Sequence, residues 1–367
     1  MTTRVRLLAA SLHYPPELKL HTARSGPVGA LDELYLLVER DGALAGFGEI
    51  RENVAYLTGL APADVRAAVA KLAHAVDWSR PRQEVTASLA DAAQGAPNIA
   101  RALIDTALVD WAAREQGVPV AELSGAPFRS QQATNQTLFV SDDQRLLARA
   151  EGYVARGFHR LKLRVGARSA REDCQRLAML RDRFGHTLEL AIDANGAWSP
   201  EAAVAQLQAM ARFDLAYAEQ PIAPGDWRAL HALAKVAPMP IMLDESLTAS
   251  DDIARIVDAG GTLWAHLKVS KLGGISPTMT AARRLAAAGI PFMVGQMNEG
   301  AGATAAAYHC AIALAPRHAE LYGADGLIDD PVRGVRYGDG AIHVARAPGL
   351  GVTIDARACT TVWEIRA

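Results

Sequence analysis

The sequence predicts a closed parallel β/α barrel with a small α+β unit packed against it. From Thr134 onward, short β-type runs alternate with Ala-, Leu- and Arg-rich helical stretches, and eight such runs suit a closed barrel better than an open sheet. No G-x-G-x-x-G follows a β run, as an open dinucleotide-binding sheet would show. Ahead of Thr134 the pattern differs, with strands first and helices after them.

The N-terminal unit opens with apolar runs at Val5–Ala10, Leu34–Val38 and Ala43–Ile50, the last two joined by a turn at Asp41-Gly42. Helical patterning follows at Pro62–Val76, Val85–Ala93 and Ile99–Gln116. In the last of these Ala102, Asp105, Thr106, Val109, Ala112 and Ala113 form a stripe of small residues, and Gly117 supplies the stop. Barrel strands are expected at Gln136–Val140, His159–Val165, Glu189–Asp193, Leu215–Glu219, Pro240–Asp244, Leu263–Lys268, Pro291–Val294 and Glu320–Tyr322. Beyond Asp329, short runs at Val335–Tyr337, Ala341–Val344 and Gly351–Ile354 are expected to rejoin the N-terminal unit. The division that results is a capping domain over 1–126, a barrel over 127–328 and a returning segment over 329–367.

Composition sets bounds on function. A formal net charge of −2 offers no broad field for nucleic acid or a membrane surface. No apolar run nears the roughly 20 residues that span a bilayer, and Val5–Ala10 is too short for a signal-peptide core. Cys174, Cys310 and Cys359 are odd in number and lack metal-ligand spacing, which fits a reduced, cytoplasmic protein.

Three acids stand at the ends of consecutive β runs: Asp193 after Leu-Ala-Ile, Glu219 after Ala-Tyr-Ala, and Asp244 after Ile-Met-Leu. In a parallel barrel those ends share one face, and neighbouring strands lie about 4.8 Å apart, so the carboxylates converge. One such acid alone would be read as a cap for the following helix. Three together repel unless a cation joins them, and hard anionic oxygens suit Mg²⁺, or Mn²⁺, better than Zn²⁺. The period of two places Lys162 and Arg164 on one face of their strand, and Trp264, His266 and Lys268 on one face of theirs. Both sets are expected to face inward beside the metal. His266 is expected to be a buried, hydrogen-bonded histidine, and Lys271 to support the turn at Gly273-Gly274.

At these residues the chain resembles the enolase superfamily, in its muconate-lactonizing-enzyme-like subgroup. The resemblance runs through Gly46-Phe47-Gly48-Glu49, Ala107-Leu108-Val109-Asp110, Lys162-Leu163-Arg164, Asp193-Ala194-Asn195, Glu219-Gln220-Pro221, Asp244-Glu245-Ser246, Lys268, Lys271-Leu272-Gly273-Gly274 and Pro348-Gly349-Leu350-Gly351-Val352. It implies a capping domain over a modified (β/α)₇β TIM-type barrel, a three-carboxylate Mg²⁺ site, and lysines that move a proton next to a carboxylate. It also implies that loops near His13–Thr22 and Arg51–Thr58 close over the substrate. A divalent ion on the substrate carboxylate stabilises the enediolate left by proton removal, and a lysine beside cations has a lowered pKa and can act as base. Asn195 and Glu245, just beyond the metal ligands, are assigned orienting roles. By analogy with the architecture, an assembly of identical subunits is expected.

Two departures shape the reaction expected. The subgroup's Lys-x-Lys reads Lys162-Leu163-Arg164 here, and a guanidinium is a poor base. A one-base lyase (dehydratase) or cycloisomerase acting through Lys268 on a small organic, amino or imino acid is therefore favoured. Two-base racemisation or epimerisation of an amino-acid derivative, through Lys162 or an unusually basic Arg164, is the runner-up, and a non-catalytic, metal-holding descendant is the third reading. The eighth strand end reads Tyr322-Gly323-Ala324-Asp325 where dipeptide epimerases carry Asp-x-Asp, which argues against a dipeptide. Asp325 and Glu299 remain as candidates to hold an amino group. Tyr14, Tyr56 and Trp264 are candidate pocket aromatics.

Overall fold

The computed structural model describes residues 2–18, 20–22 and 26–367. Its N-terminal unit is an antiparallel sheet in the order Thr360–Arg366, Thr3–Leu12, Leu31–Arg40, Ala43–Arg51. The helix Asn98–Gln116 lies across that sheet at close range. A Cβ on Gly46 would stand 2.5 Å from the Ala107 carbonyl oxygen, and one on Gly48 would stand 2.3 Å from that of Leu103. Only glycine permits this approach. The buried small residues Ala102, Thr106 and Ala113 continue the same fit along the helix, which ends on Gly117 in the left-handed region (φ 69°).

The barrel has eight parallel strands in sequential order: Gln136–Leu138, Arg160–Arg164, Glu189–Asp193, Leu215–Glu219, Ile241–Leu243, Leu263–Lys268, Phe292–Gly295 and His318–Glu320. It is nearly closed. The Asn135 N–H donates to the Ala319 carbonyl at 3.1 Å, and the Leu321 N–H donates to Thr134 Oγ1 at 2.8 Å. Three strands have the bounds expected from sequence. The eighth ends at Glu320, where the expectation began it. Tyr322 beyond it is buried between cap and barrel: it clusters with Leu12, Leu20 and Leu31 of the cap and packs on Phe139 with ring centroids 6.3 Å apart.

The returning tail also differs from expectation. Val335–Gly338 and Ala341–Val344 pair with each other and with Gln131–Ala133 at the barrel's entry. The strand that rejoins the N-terminal sheet is Thr360–Arg366, which pairs with Thr3–Leu12. A short hairpin, Leu20–Thr22 with Gly26–Val28, leans over the barrel mouth; Lys19, within the expected His13–Thr22 loop, lies outside the described residues. No helix among the described residues is long and apolar enough to cross a membrane, and all three cysteines are free thiols.

Candidate active site

The strand ends of the barrel bring buried acids and bases together. Asp193 and Glu219 are register partners on adjacent strands, and Glu219 pairs with Met242, two residues before Asp244. The turns that follow are strained: Asn195 and Gln220 both have positive φ, 48° and 34°. Gln220 is held there by four hydrogen bonds. Its Oε1 accepts from the Asp244 and Ser246 N–H groups at 3.1 and 3.0 Å, and its Nε2 donates to the Ile222 carbonyl at 2.9 Å and to Ser246 Oγ at 2.7 Å. One buried amide thus sets the height of the Asp244 loop against the neighbouring strand.

Each acid meets a base. Lys162, fully buried, donates to Glu219 at 2.6 Å, contacts Glu320, and lies 3.6 Å from Asp193. Arg164 pairs with Asp193 and donates to Asn195 Oδ1 at 3.2 Å. Lys268 Nζ donates to Asp244 Oδ2 at 2.7 Å. Lys271 Nζ reaches the Asp244 carbonyl at 2.5 Å and also the Oδ1 of that carboxylate, so it supports this acid rather than the following glycine turn alone. His266 is buried with Nδ1 3.0 Å from Glu219 Oε1. Asn195 ties the set together, donating through Nδ2 to Glu245 Oε1 at 3.2 Å and through its N–H to Asp193 Oδ1 at 2.8 Å.

This network sets the protonation states. Burial alone would raise the Glu219 and Asp244 carboxyls, but Lys162 and His266 for the first, and Lys268 and Lys271 for the second, outweigh it and hold both below the usual carboxylate range. Burial would lower Lys268, yet Asp244, Glu219 and Glu320 prevail and keep it above the ordinary lysine value. The lowered lysine pKa expected from sequence is therefore not what the chain alone produces. Lys271 does shift down, because burial wins there.

Above these groups lies a cavity of about 40 Å³. Lys268, Arg164, Asp244, Asn195, Glu245, Glu320 and Tyr322 line it from the barrel, while Leu20, Arg51, Tyr56 and Leu57 line it from the cap. Asp193, Glu219 and Lys162 lie beneath this surface. The chemistry of the donors would fit a hard divalent cation: Asp193, Glu219 and Asp244 offer buried carboxylate oxygens, each satisfied in this structure by an ammonium or guanidinium. A second set, Glu219, His266 and Glu320, brings one ligand atom each within 4.8 Å of one another. We favour the first set, because its donors are all carboxylate oxygens, as a hard divalent ion prefers, whereas the second set needs a nitrogen of His266.

The family model described as "Enolase C-terminal domain-like" matches residues 145–358. The chain belongs to this family. It is an enzyme of the enolase superfamily, in the muconate-lactonizing-enzyme-like subgroup. It is 28% identical to a hydrophobic dipeptide epimerase of Enterococcus faecalis over 337 residues, 90% of this chain and 94% of that protein. It is 27% identical to an N-succinyl-L-Arg/Lys racemase of Bacillus cereus over 258 residues, 70% of this chain and 69% of that protein. The solved muconate lactonizing enzyme from Pseudomonas putida superposes with a TM-score of 0.86 at 26% identity, covering 96% of this chain and 97% of that one.

Four candidates from sequence lie away from the cavity of this superfamily enzyme. Asp325, expected as a candidate to hold an amino group, is committed instead to Arg156 at 2.8 Å and to Gln136 Nε2 at 2.8 Å. Glu320 and Tyr322 line the cavity from that strand end instead. Trp264 belongs to a layer with Ala191, Tyr217, Met242 and Met293 and stacks on His318 at 6.0 Å. It shares a face with Lys268 but sits four residues lower, roughly 13 Å along the strand. Tyr14 bonds the Gly323 carbonyl and accepts from Asn298 Nδ2 at 2.9 Å, bracing the wall from behind. The carboxylate of Glu299 turns back to the Met297 N–H at 2.6 Å. Glu320, Gln220 and Arg51 had no role in the sequence reading; Glu320 is an acid at a strand end, but the eighth run was expected to begin there rather than to end there.

Proposed function

We propose that this enzyme removes the proton α to a carboxylate of a small organic, amino or imino acid, with Lys268 as the single base, in an elimination (dehydration) or cycloisomerisation. One contrast carries this reading. Among the described residues Lys268 is the amine that lines the cavity, whereas Lys162 is wholly buried among three carboxylates and Arg164, on the other wall, is a guanidinium engaged by Asp193 and Asn195. Asp193, Glu219 and Asp244 would hold Mg²⁺, with Mn²⁺ as a substitute. When bound, the ion supplies positive charge beside the substrate carboxylate and so acidifies the α-proton. Engaging Asp244 elsewhere weakens the contact that keeps Lys268 protonated. Asn195 and Glu245 keep Asp193 and the Asp244 loop in place, and Tyr56 with Leu57 shields the reacting centre from water.

A second reading is racemisation or epimerisation, favoured by the similarity to a racemase and an epimerase. It needs a proton donor on the Arg164 wall. Turnover of α-substituted carboxylates in D₂O with Mg²⁺ separates the two. The one-base reading expects elimination or ring closure, or α-deuterium entering with retained configuration. It also expects a loss of about 10²–10⁴-fold in rate for Lys268→Ala. Deuterium entry with inversion of configuration would sink it in favour of the second.

A further inference from the structure

A groove runs along the join of cap and barrel and shares no lining residue with the cavity at the barrel mouth. The cap helices Arg82–Ala92 and Asn98–Gln116 form one wall. The barrel helices Ser250–Asp258 and Ile275–Ala287, with Leu272 and Gly273, form the other. The groove holds about 410 Å³, against about 40 Å³ at the barrel mouth, and small-molecule sites run from roughly 300 to 1,000 Å³. Its floor is apolar, made of the buried side chains of Leu89, Leu108, Ile253, Leu272 and Ala281.

Two arginines line this apolar floor, Arg101 from the cap and Arg284 from the barrel. Among the described residues neither is in an ion pair. Arg101 gives one long bond, 3.4 Å to Asn98 Oδ1, and the exposed Arg284 side chain gives none. The Arg101 guanidinium lies along the groove, its carbon 3.7 Å from where a Cβ on Gly273 would stand. Asp105 is the acid of the lining, and its charge reaches Arg101. Its Oδ2, however, accepts from the Ser276 N–H at 3.0 Å, at the start of the helix Ile275–Ala287. Two cations against one engaged acid leave the groove positive.

A concave apolar bed edged by unmatched guanidinium groups complements a molecule with an alkyl body and an anionic head. We propose that this groove binds an amphipathic carboxylate, its chain on Leu108, Ile253 and Leu272 and its head on Arg101 and Arg284. Each methylene taken out of water adds affinity, and the head selects an acid over an alcohol. The occupant touches both units of the molecule. Asn98, one turn before Arg101, donates to the Thr248 and Lys271 carbonyls at 2.9 and 2.8 Å, so the groove backs onto the segments that follow Asp244 and Lys268.

Calorimetric titration of the Mg²⁺-loaded protein with octanoate, octan-1-ol and octylammonium tests it. Octanoate is expected to bind about tenfold or more tightly than the alcohol, and the ammonium least. Arg101→Gln combined with Arg284→Gln is expected to remove that preference and leave the alcohol's binding unchanged. Ala281→Trp, which fills the floor, is expected to weaken acid and alcohol alike. Lys268→Ala is expected to leave octanoate binding unchanged, because that lysine lies at the other cavity. No octanoate binding, equal binding of acid and alcohol, an unaltered preference in the arginine variant, or octanoate binding lost in Lys268→Ala each overturns the proposal. So does a dimer that octanoate cannot compete with and that the arginine variant dissociates, since the groove is then an interface between copies. If Ala281→Trp does not fold, the wild type and the arginine variant decide.

Discussion

Arg164 is the residue on which the reaction type turns, and its pairing has a measurable cost. It neutralises Asp193, whose other cation, Lys162, is 3.6 Å away and bound more closely to Glu219 at 2.6 Å. In Arg164→Met the buried Asp193 loses its main partner, and removing one side of a buried pair costs about 3–5 kcal/mol. A divalent ion bound by Asp193 would restore the missing charge. Urea unfolding is therefore expected to find the variant strongly destabilised in EDTA and partly recovered in MgCl₂, with a larger Mg²⁺ effect than in the wild type. An equal Mg²⁺ effect on both proteins would remove Asp193 from the ligand set. At this scale the sequence was informative about direction and silent about depth. A period of two placed Lys162, Arg164, His266 and Lys268 inward, but nothing in it says that Lys162 lies under the floor while Lys268 lines the cavity. The same limit misplaced Trp264.

Among the described helices, Ala301–Leu314 is the one most buried, from Ala301 through Ile312. It carries His309, whose Nδ1 accepts from the Ala121 N–H at 3.3 Å and whose pKa burial pushes down to about 4. In the unfolded chain a histidine takes up its proton near 6.5. Between the two values the unfolded state binds a proton that the folded state does not, so stability falls as pH drops below about 6.5 and levels off below about 4. The whole effect is about 3 kcal/mol. Urea midpoints of wild type and His309→Gln are expected to converge between pH 7 and 4.5, the wild type losing more; parallel lines would show that His309 titrates normally. The elements themselves were legible where the pattern was long or ended on a charge: Glu189–Asp193, Leu215–Glu219 and Leu263–Lys268 read true. They were not where burial came from a second layer. Tyr322 read as strand because the cap helps to bury it, and that shift hid Glu320.

Across the whole molecule, cap and barrel share one apolar cluster. Leu8, Tyr35, Leu37 and Phe47 of the sheet belong to it together with the barrel's Leu161, Leu190 and Val294. Polar latches reinforce the join: Glu49 Oε2 accepts from the Gly302 and Ala303 N–H groups at 2.7 and 3.2 Å, at the start of the helix Ala301–Leu314, and Asp110 accepts from Leu350 N–H at 2.7 Å. The molecule is expected to unfold in one cooperative step. Glu49→Ala, which leaves two helix N–H groups without their acceptor, is expected to lower stability by about 1–3 kcal/mol while keeping that single step. Two separate calorimetric transitions in the wild type would count against a shared core. A cap over a barrel was legible in the change of pattern at Thr134. The latch was not, because Glu49 and Gly302 are 253 positions apart and only the folded chain brings them together.

The strand Thr360–Arg366 closes the edge of the cap sheet by pairing with Thr3–Leu12, matching Arg4 to Arg366 and Val5 to Ile365. On the ribosome that partner is made hundreds of residues later. Through most of translation the first strand waits with one row of backbone donors and acceptors uncovered, a template for any other nascent chain. Slow synthesis, low temperature or a chaperone that shelters this edge should therefore raise the soluble yield, and a truncation before residue 360 should send the chain into inclusion bodies.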